Sequence, residues 1–435
     1  MSPLEIGVAT LLAMVVLVYS GFYVSIALML CSYIGVWAIK GTPTLAGKLL
    51  AISAYDSIST YHFGVIPLFV LMGLLIAASG IGRDAFDVAN LLFKRVKGGL
   101  GVGAIGANTL FAAITGISIA SASIFTKIAV PELTKHGYSK SFATGIVAGS
   151  SVLGMLIPPS LLLILYGFLA DQSVGDLFLA GVVPGLLLAI LFCFGVVVIT
   201  VMFPRFAGQP ISIETQSDIG LRVLLAKIVP ILGLIVVVLG GLYLGLFTPI
   251  EAGAIGCLGA FIVGLIKKAL SWKVCLSVLN ETGLITASIG FLIIAAQMYS
   301  RMLSMSGLPA EFGEWIGQAD IGFWGVILAY VAAVILMGTL LDSSSIMLVL
   351  LPLILPIVIE LDVNLIWFGI VTVLAVEIGL LTPPFGLSVY VIKSTLNDSS
   401  VSTSDIFAGA APFALIMLIT LGIIIAFPNL TTMLL

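Results

Sequence analysis

G-I-S-I-A-S-A-S-I, beginning at Gly116, returns as G-T-L-L-D-S-S-S-I beginning at Gly338, and G-M-L-I-P-P from Gly154 returns as G-L-L-T-P-P from Gly379. The offsets are 338 − 116 = 222 and 379 − 154 = 225. A third echo, D-L-F-L-A-G-V-V-P from Asp176, has D-I-F-A-G-A-A-P from Asp405 as its partner, one residue shorter. Order and spacing both persist, so the chain carries two copies of one plan. Paired apolar segments interrupted by Gly, Ser and Pro mark a repeat-built secondary transporter whose site lies between the repeats.

With 61% hydrophobic and 9% charged residues and a mean hydropathy of +1.29, a soluble fold of this length would lack the polar surface to cover itself. The chain is therefore expected to be an all-α polytopic membrane protein. A hydrocarbon core of about 30 Å takes roughly 20 apolar residues per helical crossing, and runs of that kind recur along the sequence. They are continuous, unlike the alternation of a lipid-facing strand. The net charge of −3 and the lack of a basic cluster with interleaved aromatics give no sign of a nucleic-acid partner. Cys31, Cys193, Cys257 and Cys275 are isolated and suggest neither a disulfide framework nor a zinc site. His62 and His136 are far apart, each beside an expected membrane boundary, and make no metal pair. With Glu5 and no positive leader, the first apolar run is expected to be a retained helix and not a cleaved signal.

No P-loop, H-E-x-x-H or G-x-S-x-G motif is present, so the chain is not expected to be an enzyme and a gradient must supply the energy. Gly101 to Gly106 matches G-x-G-x-x-G but has neither a preceding strand nor a suitable acid about 20 residues on, so close packing is the better explanation.

The expected layout is two inverted-topology repeats. Residues 1–203 form the first: scaffold helices within 1–97, a re-entrant hairpin over 98–131, a broken helix over 141–170 and a closing helix over 177–203. The scaffold crossings fall near 4–19, 21–39 and 63–79, with a polar stretch running through Tyr61. A linker over 204–222 leads to the second repeat, 223–435. It has scaffold helices within 223–320 (crossings near 223–247, 250–267 and 282–301), a hairpin over 321–359, a broken helix over 364–396 and a closing helix over 406–427. A short amphipathic segment precedes each hairpin and is suited to the interface. The first hairpin base collects Arg83, Lys94, Arg95, Lys97, Lys135 and Lys140, the second Glu311, Glu314, Asp320, Glu360 and Asp362. By the positive-inside tendency the two hairpins enter from opposite faces, although Lys40 and Lys48 run against the trend.

An unsatisfied backbone group in hydrocarbon costs several kcal/mol, so broken helices persist only where protein or a polar cavity satisfies them. Four breaks occur: hairpin tips at Gly116 to Ser123 and Gly338 to Ser345, and Pro-Pro breaks at Gly154 to Ser160 and Gly379 to Gly386. Their freed carbonyls and hydroxyls offer hard oxygen ligands suited to Na⁺, and half-helix N-termini suit an anion. The expected Na⁺ ligands are Gly116, Ser118, Gly154 and Pro158 in the first half, and Gly338, Asp342, Ser343, Gly379, Thr382 and Pro383 in the second. Expected substrate contacts are Ser121, Ser123, Pro159, Ser344, Ser345 and Pro384. Asp342, whose repeat equivalent is Ala120, is either an ion ligand or a helix cap. Glu377 and Gln297 are weaker candidates, and Arg301 is expected to snorkel to the outer surface more than to touch substrate.

S-A-S-I-F-T-K-I-A-V-P-E-L from Ser121, G-M-L-I-P-P-S from Gly154, D-L-F-L-A-G-V-V-P-G from Asp176, F-T-P-I-E-A-G-A from Phe247 and E-I-G-L-L-T-P-P-F-G-L from Glu377 span nearly the whole chain. Together they resemble the large membrane subunit of tripartite ATP-independent periplasmic (TRAP) transporters. The resemblance implies an elevator-type symporter of the bacterial inner membrane with at least two Na⁺ sites. It also implies a small membrane subunit and a periplasmic binding protein that delivers an organic acid, such as sialic acid or a C4-dicarboxylate. Where the family's first tip often reads Gly-Ser, Ile117 follows Gly116 here and Ser118 is the substitute. Rival readings are a channel, an intramembrane hydrolase, and H⁺ coupling through Asp342.

Overall fold

The computed structural model describes residues 1–93, 96–208, 221–318 and 322–435, without the side chains at positions 62, 221 and 316–318. Lys94, Arg95, Asp320 and most of the linker over 204–222 lie outside the described residues. Every regular element among the described residues is helical, with no strand. That is how a backbone satisfies itself where water is absent. The first half runs α1 Pro3–Tyr19, α2 Val24–Lys40, α3 Pro43–Ser59, α4 Val65–Ala78, α5 Ile81–Phe93, α6 Gly99–Thr115, α7 Ser118–Lys135, α8 Lys140–Ser151, α9 Leu153–Leu156, α10 Leu161–Ala170 and α11 Val174–Met202. The short α12 Pro204–Ala207 follows. The second half runs α13 Leu221–Ile235, a π turn Val236–Gly240, α14 Gly241–Tyr243, α15 Pro249–Ile266, α16 Trp272–Ser306, α17 Leu308–Gln318, α18 Gly322–Gly338, α19 Ser343–Glu360, α20 Leu365–Leu381, α21 Leu387–Leu396, α22 Thr403–Ala426 and α23 Asn429–Thr432.

Six of the described helices are long and apolar enough to cross a membrane, or up to eight if each bent pair counts as one span. The bent pairs are α4 with α5, turned by 65°, and α8–α9 with α10, turned by 41° at the Pro-Pro break. The chain is thus a multi-pass all-α membrane protein. Two expectations about the scaffold need correction. The polar stretch before Tyr61 is a full helix, α3, because Pro43 at its first turn and an uninterrupted K-L-L-A-I-S-A-Y run favour helix despite the polarity. The crossing expected near 282–301 is the centre of a 35-residue helix, α16, that opens with Ser271 capping Val274 N–H.

Two packed groups emerge from the helix contacts. In one, α2, α3 and α4 pack on α16, α4 also packs on α15, and α5 packs on α13. Ion pairs hold α5 there: Asp87 binds Lys227 of α13, and Asp84 reaches Lys227 at 3.6 Å and binds Lys267 at the end of α15. In the other group the halves clasp crosswise. The second arm of the first hairpin, α7, packs on α21, and the second arm of the second hairpin, α19, packs on α10. The closing helices α11 and α22 meet, and α22 also runs along α8. There Gly145 and Gly409 bring their backbones into direct contact, since a Cβ on Gly145 would lie 2.0 Å from Gly409 O.

Candidate functional site

Each hairpin tip sits on the Pro-Pro break of its own half. At Gly116 the chain takes φ +65°, a left-handed turn that ends α6, and a side chain there would strike Pro159 O at 2.3 Å. Gly116 O accepts a hydrogen bond from Leu161 N–H at 3.2 Å, just past the break. In the second half Gly338 meets Gly379, where an added Cβ on the former would lie 2.7 Å from the Cα of the latter. Thr339 O then accepts from Phe385 N–H at 3.2 Å, again just past the prolines. Both Pro-Pro peptides, Pro158-Pro159 and Pro383-Pro384, are cis.

A side-chain bond between hairpin and broken helix repeats as well. Asn108 Nδ2 donates to Ser150 Oγ at 2.8 Å, and the Tyr330 and Thr372 hydroxyls pair at 3.1 Å. The positions correspond: 330 − 108 = 222 and 372 − 150 = 222. Sequence reading missed all four residues, because no local motif surrounds them. Laying the halves over one another at the 222 offset would have aligned the pairs.

The expected site residues fall into distinct environments. Ser118 is fully buried at the start of α7, and its Oγ has no partner among the described residues. Ser121 is also fully buried, and its hydroxyl donates to Asn108 Oδ1, so it is committed to the hairpin interior. Ser123 accepts a 3.4 Å bond from Thr395 on α21. Gly154 backs onto the Ile117 and Ser118 backbone, while Pro158 and Pro159 are buried. In the second half Pro383 and Pro384 are exposed, so the two breaks are not equally covered. Thr382 Oγ1 donates to Ile378 O at 2.7 Å, and Ser343 Oγ donates to Glu377 Oε1 at 3.3 Å. Glu377 is fully buried, and among the described residues its Oε2 lacks a partner and no ion pair reaches it. Sequence reading ranked it below Asp342, and it is the more buried of the two carboxyls.

Asp342 is exposed and caps α19. Its Oδ2 accepts from Ser344 N–H at 3.1 Å and Ser345 N–H at 3.2 Å, and its Oδ1 accepts from Ser345 Oγ. Ser344 and Ser345 are therefore partners of the cap. Arg301 binds Asp56 at 2.7 Å and, with Gln297, lines a cavity of about 550 Å³ also bordered by Asp171, Gln172 and Ser173. That cavity lies between the α3–α16 group and the α10–α11 end of the clasped bundle, away from the tips. Among the described residues no cluster of three or more His, Cys, Asp or Glu is placed to hold a metal. The oxygen atoms at the tips belong to hydroxyls, backbone carbonyls and, in the second, the Asp342 carboxylate, hard donors that do not suit a soft transition metal. Gly101, Gly103 and Gly106 lie inside α6, where side chains of Val196, Asn90 and Phe93 press on them, so the G-x-G-x-x-G run is a packing surface.

Two re-entrant hairpins seated on two broken helices, in a multi-pass frame, define a membrane transporter fold. The chain belongs to the DctM component family of tripartite ATP-independent periplasmic transporters, whose family model matches residues 11–430. It is 32% identical to the C4-dicarboxylate TRAP transporter large permease protein DctM of Pseudomonas aeruginosa, over 88% of each chain. The ectoine TRAP transporter large permease protein TeaC of Halomonas elongata is 28% identical, over 98% of this chain and 97% of that one. The sialic acid TRAP transporter large permease protein SiaM of Vibrio cholerae is 28% identical over 87% of each. Among solved structures, the YdaH transporter of Alcanivorax borkumensis has a similar fold, with a TM-score of 0.62 at 16% identity over 89% of this chain and 90% of that one.

Proposed function

We propose that this protein is the large permease of a Na⁺-coupled importer for an organic acid in the bacterial inner membrane. It works with a small membrane subunit and receives its cargo from a periplasmic binding protein. The observation that carries this reading is the repeated seating of a hairpin tip on a Pro-Pro break, with one cross hydrogen bond in each half, in a chain whose relatives are carboxylate and ectoine permeases. Ser118 Oγ and the carbonyls around Gly116 and Gly154 supply oxygens for one Na⁺; those around Gly338, Gly379 and Thr382 supply a second. The cargo then binds beside the N-termini of α7 and α19, where helix dipoles favour an anionic group. The crosswise clasp of α7 with α21 and α19 with α10 makes the hairpins and broken helices one body, which slides against the frame of α1–α4 and α13–α16.

The voltage term discriminates cargo class. Each net charge moved across 100 mV is worth about 2.3 kcal/mol, or roughly 40-fold accumulation at about 1.4 kcal/mol per tenfold. Two Na⁺ with a monocarboxylate carry one net charge, whereas two Na⁺ with a dicarboxylate carry none. The test is uptake by reconstituted vesicles with candidate binding proteins, varying Na⁺, pH and voltage separately. Uptake that ignores Na⁺ but follows a pH gradient would replace Na⁺ with H⁺, and conduction without solute coupling would make the protein a channel. Asp342 does not favour the proton reading, because both its oxygens are already met by donors of its own helix.

A further inference from the structure

The segments that precede the two hairpins, α5 and α17, occupy matching places in the repeat but pack differently. In the first half α5 lies directly on α6. An added Cβ on Gly103 would meet Asn90 Oδ1 at 2.4 Å, Phe93 presses within 3.3 Å of the same point on Gly106, and the Phe111 ring reaches within 3.4 Å of it on Gly82. In the second half α17 leans mainly on α19 and touches α18 little. Between these three helices a groove of about 350 Å³ remains, lined by Phe312 and Trp315 of α17, Gly325, Ala329 and Ala333 of α18, and Ile354 of α19 among other apolar residues. The repeat accounts for the gap: Ala333 stands where the first half has Phe111 (333 − 111 = 222), so a whole phenyl ring is missing.

We infer that an acyl chain of a phospholipid fills this groove. Its described walls carry no charged side chain, and an apolar cavity at membrane depth does not take up water. The groove is continuous with the lipid-facing side of α18, where Leu328 is 55% and Leu336 67% exposed. Gly325, Ala329 and Ala333 recur every four residues, so their stripe runs about 12 Å along the helix, close to the roughly 15 Å depth of one leaflet's hydrocarbon. Trp315 lines the groove while 59% exposed, and tryptophan favours the headgroup level. Thus α17 rides on lipid where α5 rides on protein. This site stands whether or not Na⁺ is the coupling ion.

The test uses the full chain in phosphatidylethanolamine vesicles carrying a phosphatidylcholine tracer with a diazirine near the end of one acyl chain. After irradiation and digestion, adducts are expected on Ala333 and Ile354 inside the groove as well as on Leu336 outside it. Ala333→Phe, which restores the ring of the first half, should reduce the groove adducts to background and leave those on Leu336. Ala329→Val is the milder variant, used if Ala333→Phe does not fold. A wild-type groove free of adducts beside a labelled Leu336, or unchanged labelling in the filled variant, would overturn the assignment; the first outcome would mean that protein closes the gap.

Discussion

Gly338→Ala probes the contact on which the second tip depends. The new methyl would lie 2.7 Å from Gly379 Cα and 3.2 Å from both Gly379 C and Val376 O. Carbon atoms prefer about 3.5–4.0 Å, so tip and break must part by about 1 Å, and the obstructing atoms are backbone that cannot rotate away. Overpacking of this kind costs about 1–3 kcal/mol. If that cost falls on the seated tip, its population drops roughly 5- to 150-fold relative to the unseated form, and apparent Na⁺ affinity weakens by up to that factor. The assay is Na⁺-dependent uptake in vesicles, read as the Na⁺ concentration giving half-maximal rate, beside thermal unfolding. The control is Gly283→Ala in α16, where nothing lies within 4 Å; there the methyl should be neutral or stabilise by about 0.4–1 kcal/mol. Gly379→Ala, with its Cβ 2.5 Å from Gly338 Cα, should resemble Gly338→Ala, and the double variant should fall short of additivity because both methyls intrude on one contact. If Gly338→Ala tracked Gly283→Ala in both assays, the close seating of tip on break would be wrong.

Other outcomes test the remaining parts. Ser118→Ala removes a buried hydroxyl that bonds to nothing described, so thermal stability should hold or rise while Na⁺ dependence weakens; lost stability with normal Na⁺ dependence would contradict its role as a ligand. Asp342→Asn should keep the α19 cap, whereas Asp342→Ala should cost about 0.5–2 kcal/mol; an Asn variant with reduced Na⁺ affinity but normal melting would add an ionic role to the cap. A cross-link between Leu68→Cys of α4 and the native Cys257 of α15, which already touch, should leave uptake intact because both lie in the frame, while one between Phe168→Cys and Gln297→Cys, which line the same cavity from opposite bodies, should stop it. Hydrogen bonds from Lys140 and Ser400 hold the Asp398 carboxyl well below the ordinary carboxylate range. Its contribution is therefore present above the unfolded value of about 3.9 and is lost only as pH falls toward the depressed folded one. Lys140→Met should accordingly not shift the uptake optimum anywhere from about pH 5 to 8.

The tips and breaks were legible because each combines Gly, Ser or Pro with a second copy at nearly constant offset, and such residues inside apolar runs have few other uses. The polar helix α3 was not, since sliding hydropathy treats Lys48, Tyr55 and Asp56 as loop, whereas its start at Pro43 and lack of internal breakers decide for helix. The length of α16 was hidden the same way by Lys273, Asn280 and Glu281 in its first turns. At the site, Ser121 is expected to touch substrate because it sits in a small-residue tip. Its commitment to Asn108, thirteen residues back on the opposite arm, follows only from how the arms pair. Glu377 shows the converse: a lone acid in an apolar run gives no partner, and its bond to Ser343 appears once α20 packs on α19.

The crosswise clasp has a consequence for biogenesis. Because α7 is braced by α21 as well as by α8, and α19 by α10 as well as by α20, each repeat supplies only part of the surface that covers its own hairpin. Synthesis of the first half alone should leave the α7 face that meets α21 uncovered, exposed to quality-control proteolysis. A gene divided within the linker should yield stable product only when both fragments are made in the same cell, each rescuing the other as an obligate co-folding mate.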